Sequence, residues 1–141
     1  DYQRSRGLGD VYKRQETPGH TNDHIVYYNE DNLFCGDTIF GCGCGRLLEG
    51  NAEEMFLSLQ KLKKLKPSTR VYCAHEYTMD NIRFALSISE NNPLLSRRFN
   101  KDKLKSITLP TTIETELTTN PFLLAENSEE FKRIRLKKDA F

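Results

Sequence analysis

Three short words in this chain, Thr17-Pro18-Gly19-His20-Thr21, Gly36-Asp37-Thr38 and Ala74-His75-Glu76-Tyr77, each set a histidine or an aspartate beside small or turn-forming residues. The words lie in separate segments, so their side chains can meet only if the fold brings several strand ends together. That demand points to a sheet whose strands each deliver one ligand. Neutral imidazole nitrogens and a carboxylate with two oxygens suit zinc, iron or manganese better than calcium or magnesium. The pattern predicts a metal centre built at strand termini.

The sequence between the words supports such a sheet. His24 to Tyr28 is rich in β-branched and aromatic residues, Asn29-Glu30-Asp31-Asn32 has turn composition, and Leu33-Phe34-Cys35 returns. This reads as a hairpin, with Asp37 just past its second strand, after Gly36. From Asn51 the period becomes helical. Asn51 is an N-cap, Glu53 and Glu54 favour the helix start, and Met55, Phe56, Leu59, Leu62 and Leu65 form an apolar stripe. Lys61, Lys63, Lys64 and Lys66 read as a solvated helix end, and Pro67 as the stop. Arg70 to Cys73 is the next strand, delivering His75. Beyond this point the pattern is helical. One helix is capped by Thr78 and runs through Ile82, Phe84, Ala85 and Ile88. A second runs from Pro93 toward Leu104, Leu109 to Thr112 is a linker, and Ser128 caps a last helix through Phe131 and Ile134.

Composition narrows the function classes. Formal charges nearly cancel, to +1, which gives no case for nucleic acid or a membrane surface as partner. No apolar run approaches a membrane span, and no secretory signal is visible. The four cysteines, Cys35, Cys42, Cys44 and Cys73, read as reduced thiols of a cytoplasmic protein; Cys42-x-Cys44 lacks the spacing of a zinc ribbon.

The words taken together resemble glyoxalase II, the hydroxyacylglutathione hydrolase family of the metallo-β-lactamase superfamily. Beside Thr17 to Thr21, the resemblance rests on Phe34 to Phe40, Gly43-Cys44-Gly45-Arg46 with Glu49-Gly50, Val71 to Thr78, Asn120-Pro121-Phe122, and Arg135 to Asp139. It implies hydrolysis of S-D-lactoylglutathione to D-lactate and glutathione by a metal-activated water. Two divalent ions are implied, zinc first, with iron or manganese suited as well. His20 would serve one ion and His75 the other, with Asp37 bridging. Arg46, Tyr77, Arg135 and Lys138 would meet the glutathione moiety, and His24 would be structural. Leu47-Leu48 stands where the family often carries aromatics, which leaves the acyl group open. The intact protein is expected to be a monomer.

The resemblance also shows a departure. The family carries an H-x-H-x-D-H motif upstream, whereas this chain has three histidines, His20, His24 and His75, and no such motif. Residues 1–15 match nothing in the family and resemble translated adapter sequence, so they are expected to lie outside the fold. The expected fold is α+β: the C-terminal half of a metallo-β-lactamase αββα sandwich over 16–77, then a small helical, glutathione-binding domain over 78–141. Such a piece is expected to be inactive alone and to aggregate, because a sheet face and strand edges are left uncovered. Two other readings are a glutathione persulfide dioxygenase-like enzyme of the same superfamily and a non-catalytic binding module.

Overall fold

The computed structural model describes residues 3–6, 11–89 and 91–141, with side chains from residue 12 onward. The first part runs β1 (Gln3–Arg6), β2 (Val11–Glu16), β3 (Ile25–Tyr28), β4 (Asn32–Gly36), β5 (Ile39–Phe40), β6 (Gly43–Cys44), α1 (Ala52–Leu62) and β7 (Arg70–Cys73). The second runs α2 (Thr78–Ile88), α3 (Pro93–Asp102), β8 (Thr111–Thr112), α4 (Ile113–Thr119), α5 (Pro121–Leu124) and α6 (Ser128–Ala140). This is the expected α+β class.

Among the described residues the main sheet has the order β1-β2-β3-β4-β7-β8, and β5 and β6 form a separate ribbon. The β4–β7 pair is parallel and its neighbours are antiparallel. Residues 11–15, expected to stand outside the fold, here form most of β2, which pairs with β3 from Lys13↔Tyr28 to Glu16↔Ile25. The rest of that N-terminal segment lies partly outside the described residues. The β3–β4 hairpin closes as its composition predicts. The Asn29 side chain accepts from the N–H groups of Asp31 and Asn32 at 2.9 and 2.8 Å, an Asx turn that fixes the register.

Helix α1 starts on a full capping box between Asn51 and Glu54. It ends at Leu62, before Leu65 and well before Pro67, because the chain tightens into turns donating from Lys64 to Lys61 and from Leu65 to Leu62. Three further local expectations need correction. Tyr77, with no side-chain cap, occupies the N-cap of α2, and Thr78 is already helical. Asn127, not Ser128, caps α6 by accepting from Glu130 N–H at 2.8 Å. Thr111–Thr112, read as linker, is a strand on the edge of β7. Two residues show no period, so only the pairing reveals it.

The two faces of the sheet differ. Val26, Leu33 and Val71 point inward and are fully buried. They share one core with Met55 and Leu59 of α1, Phe84 of α2, Ile113 of α4, Phe122 of α5 and Phe131 of α6. The core thus crosses the boundary expected at residue 78. Each such side chain contributes about 1.5–3 kcal/mol on burial. On the outward face Phe34 packs between Tyr12, edge-on at 5.7 Å, and Tyr72, stacked at 5.1 Å. Phe34 remains 42% exposed and Tyr27, beside it, 37%. All four cysteines are free thiols. No helix among the described residues is long and apolar enough to cross a membrane.

Candidate metal centre and its cleft

His20 sits in the loop between β2 and β3, and the loop is anchored on both sides. Ser58 of α1 donates its hydroxyl to the Pro18 carbonyl at 2.7 Å, and Gly50 N–H donates to Gly19 O at 3.1 Å. Gly19 has φ +151°, and a Cβ there would run into the Met55 backbone and side chain, so only glycine lets the loop lie flat on α1. The His20 ring is oriented by Nδ1, 2.8 Å from the Arg46 carbonyl. A carbonyl can only accept, so Nδ1 donates to it and Nε2 is the nitrogen turned toward Asp37. That nitrogen faces Oδ2 of Asp37 at 3.7 Å.

Asp37 follows Gly36, whose φ of +51° turns the chain out of β4. Ala74 N–H donates to the Gly36 carbonyl at 2.9 Å, which ties this turn to the end of β7. From there His75 brings Nε2 to within 3.3 Å of Oδ1 of Asp37. The His75 ring stacks on Tyr77 at 4.7 Å, and both rings meet the edge of Phe40. His24 lies beside the trio, its ring edge-on to that of His20 at 6.1 Å. Its Nε2 contacts the Cys35 carbonyl at 3.1 Å.

The fit to a metal follows from this donor set. Each oxygen of one carboxylate faces a different imidazole, so the arrangement is two pairs sharing a bridge. Among the described residues no group of three or more His, Cys, Asp and Glu side chains is gathered to hold one ion. The trio offers imidazole nitrogen and carboxylate oxygen, donors that suit a divalent ion, with further donors needed to complete its coordination. The carbonyl that fixes the His20 tautomer is the kind of outer partner metal-bound histidines require.

The pairs open into a cleft of about 410 Å³ lined by all seven residues expected at the site, His20, Asp37, Arg46, His75, Tyr77, Arg135 and Lys138. Their condition differs. Arg46 and Tyr77 are exposed to the cleft. Arg135 is buried, and most of its guanidinium is occupied. Nη1 donates to the Cys44 carbonyl at 2.8 Å, Nε and Nη2 donate to Asp139, and the group lies over the Phe122 ring. Lys138 is partly buried, and burial first, then the Arg135 and Arg46 charges, push its pKa down. Cys44 also lines the cleft, but burial raises its thiol to about 11, so it stays protonated and is no nucleophile. Leu48, singled out by the sequence, also lines the cleft, whereas sequence reading missed Phe40, Asp80 and Asn81. The spacing of Asp80 and Asn81 from Tyr77, one turn along α2, is the signal that could have found the last two.

Residues 3–75 match the family model of the metallo-beta-lactamase superfamily, and residues 76–141 match that of the hydroxyacylglutathione hydrolase C-terminus. A hydroxyacylglutathione hydrolase of Nitrosomonas europaea is 54% identical over 112 residues, covering 77% of this chain and 43% of the relative. Another, of Pseudomonas aeruginosa strain LESB58, is 48% identical over 146 residues, covering 99% of this chain and 55% of the relative. The chain thus spans about half the length of the curated relatives it matches. Among solved structures, ETHE1 from Myxococcus xanthus superposes with a TM-score of 0.68 at 28% identity, covering 95% of this chain and 48% of that one. The chain belongs to the metallo-β-lactamase superfamily, and its second half is similar to the C-terminus of the hydroxyacylglutathione hydrolases.

Proposed function

We propose that this chain supplies part of a dinuclear thioesterase that hydrolyses 2-hydroxyacylglutathione, of which S-D-lactoylglutathione is the type. The carrying observation is the Asp37 carboxylate set between two imidazoles at the floor of a cationic cleft. His20 with Asp37 would hold one divalent ion and His75 with Asp37 the other, zinc being the first choice. Bound, the ions supply Lewis acidity to the thioester carbonyl and to water.

The chain's own residues do the rest. The Arg46 carbonyl keeps the proton on Nδ1 of His20, so Nε2 stays free for a ligand role. The Arg46 side chain and Lys138 give the cleft the positive charge that draws glutathione's carboxylates. Tyr77 presents a phenol beside His75, and Phe40 closes the wall behind both rings. Arg135 supports this reading as the anchor of the Cys44–Arg46 turn, with its remaining positive charge felt in the cleft. A glutathione thiolate leaves readily, so no protein acid of high strength is required. With two donors for each ion, the chain on its own is expected to show no hydrolysis.

The test is a chimera. The matching region of the Pseudomonas aeruginosa relative is replaced by residues 16–141, and S-D-lactoylglutathione hydrolysis is followed with zinc present. Activity that disappears on H75A or D37N supports the reading. A folded, zinc-loaded chimera with no hydrolysis overturns it, and oxygen uptake with glutathione persulfide would favour the dioxygenase alternative.

A further inference from the structure

The two histidines facing Asp37 are held by different means. His20 is oriented through its own ring, by the Arg46 carbonyl. The His75 ring has no such hydrogen bond among the described residues, and its side chain is 47% exposed. Beyond its stacking on Tyr77 and its contact with Phe40, its direction comes from the backbone of residues 74–77, which is neither strand nor helix. The Ala74 end is tied to Gly36. The Tyr77 end opens α2 without a side-chain cap.

Between these ends stands Glu76, which does not line the cleft. Its carboxylate is turned onto the loop between α3 and β8. Oε1 accepts from the backbone N–H of Thr108 at 2.6 Å and of Leu109 at 3.0 Å, and Oε2 accepts from the Thr108 hydroxyl at 2.8 Å. The Thr108 and Thr78 hydroxyl oxygens lie 2.6 Å apart, and Thr78 is fully buried at the first turn of α2. Three donors on one carboxylate, two of them backbone, make a clamp that is shorter and more directional than a surface ion pair. It pins the segment through a residue that does not line the cleft. His75 is the immediate neighbour of Glu76 on this short segment, so a fixed Glu76 limits the directions the His75 backbone can take.

We propose that Glu76 is a positioning residue for His75. Its hold on Thr108 and Leu109 sets the direction in which His75 leaves β7 and meets Asp37. The inference rests on the reading of His75 as a ligand, and it assigns the loop at 108–109, distant in sequence, a part in aligning the centre.

The experiment uses the whole chain in two readouts. The first is the long-range proton–nitrogen spectrum of the imidazoles without metal. E76A is expected to move and broaden the His75 signals while leaving those of His20. E76Q is expected to stay near wild type, since a carboxamide oxygen still accepts from both amides. The second is zinc affinity by chelator competition, where E76A is expected to weaken binding by about tenfold or more and E76Q to restore it. The proposal is overturned if Thr108 and Leu109 amides lose exchange protection in E76A while the His75 signals stand still. If E76A does not fold, E76D decides, because its shorter side chain draws the carboxylate back from both amides: a folded E76D with those amides unprotected and unmoved His75 signals also overturns the proposal. A wild-type chain whose zinc affinity ignores H75A sinks the ligand reading instead, and the imidazole spectra still judge Glu76.

Discussion

Arg98 of α3 and Glu116 of α4 meet at 2.7 Å with 6% and 0% of their side chains open to solvent. Glu116 leaves no lone pair idle. It also accepts from Cys42 N–H at 2.7 Å, Thr111 hydroxyl at 2.7 Å and Asn120 amide at 3.0 Å. The carboxylate thereby gathers the β5–β6 ribbon, β8 and two helices around one point.

Glu116→Ala takes from the buried Arg98 the nearer of its two carboxylates, leaving Asp102 at 3.4 Å, and strands three further donors at once. We expect a loss of about 3–5 kcal/mol. Urea denaturation reads it as a lowered midpoint with little change in slope. A loss below about 1 kcal/mol, the worth of a surface pair, would show that the cluster is not the joint it looks to be.

Asp37→Asn keeps the shape of the carboxylate and removes its charge. Zinc binding should fall for both half-sites together, because both imidazoles face the same group. Titration of the chain against a chelating dye checks this. Loss of one site with the other intact would refute the shared bridge.

Ser58→Ala removes a part-buried hydrogen bond to the Pro18 carbonyl and should cost about 1 kcal/mol. Because that bond seats the His20 loop on α1, His20 signals should shift in the same variant while His75 signals hold. Equal movement of both histidines would argue that the loop is not seated locally.

Lys138 carries a pKa lowered by burial and by the Arg135 and Arg46 charges. The unfolded chain then binds its proton more tightly than the folded one, so this side chain opposes folding at neutral pH. The penalty fades as pH rises through the folded pKa toward the ordinary value of 10.5. Lys138→Met should therefore raise the urea midpoint at pH 7, with the gain shrinking in alkali, while weakening glutathione binding. A gain independent of pH would point to packing alone.

The outward sheet face predicts self-association. Phe34 and Tyr27, with Tyr72 beside them, leave aromatic surface open on strands that are otherwise well paired. Sedimentation should show aggregates or oligomers, and Phe34→Lys should reduce them. A monomeric wild-type chain with a cooperative melt would contradict this.

What the sequence showed was mostly local. Small residues and glycines around His20, Asp37 and His75 pointed to three side chains that the fold gathers at one cleft, because tight turns need those residues wherever they occur. Asn51 with Glu54, and the Asn29 turn, were legible for the same reason. The missing parts are those decided at long range. Nothing near Glu116 or Glu76 distinguishes them from the other acidic residues, since their partners lie up to 74 positions away. Arg135 read as a free gripping group because helix spacing does not reveal that Cys44 and Asp139 claim its donors. Thr78 and Ser128 were passed over as caps in favour of a neighbour one position earlier, a distinction that backbone geometry makes and composition does not.

The shared core has a consequence for how such chains can be recombined. Val71 and Leu33 from the sheet lie in one apolar mass with Phe84, Phe122 and Phe131 from the helices, and β8 lends the helical segment a place in the sheet. A helical tail borrowed from another member of the superfamily would have to bring matching volumes at those positions. A splice at residue 76, where the two family models meet, divides a sequence alignment and not a hydrophobic interior. Inheritance of the two halves should therefore be coupled, with changes on one side of that splice answered by changes on the other.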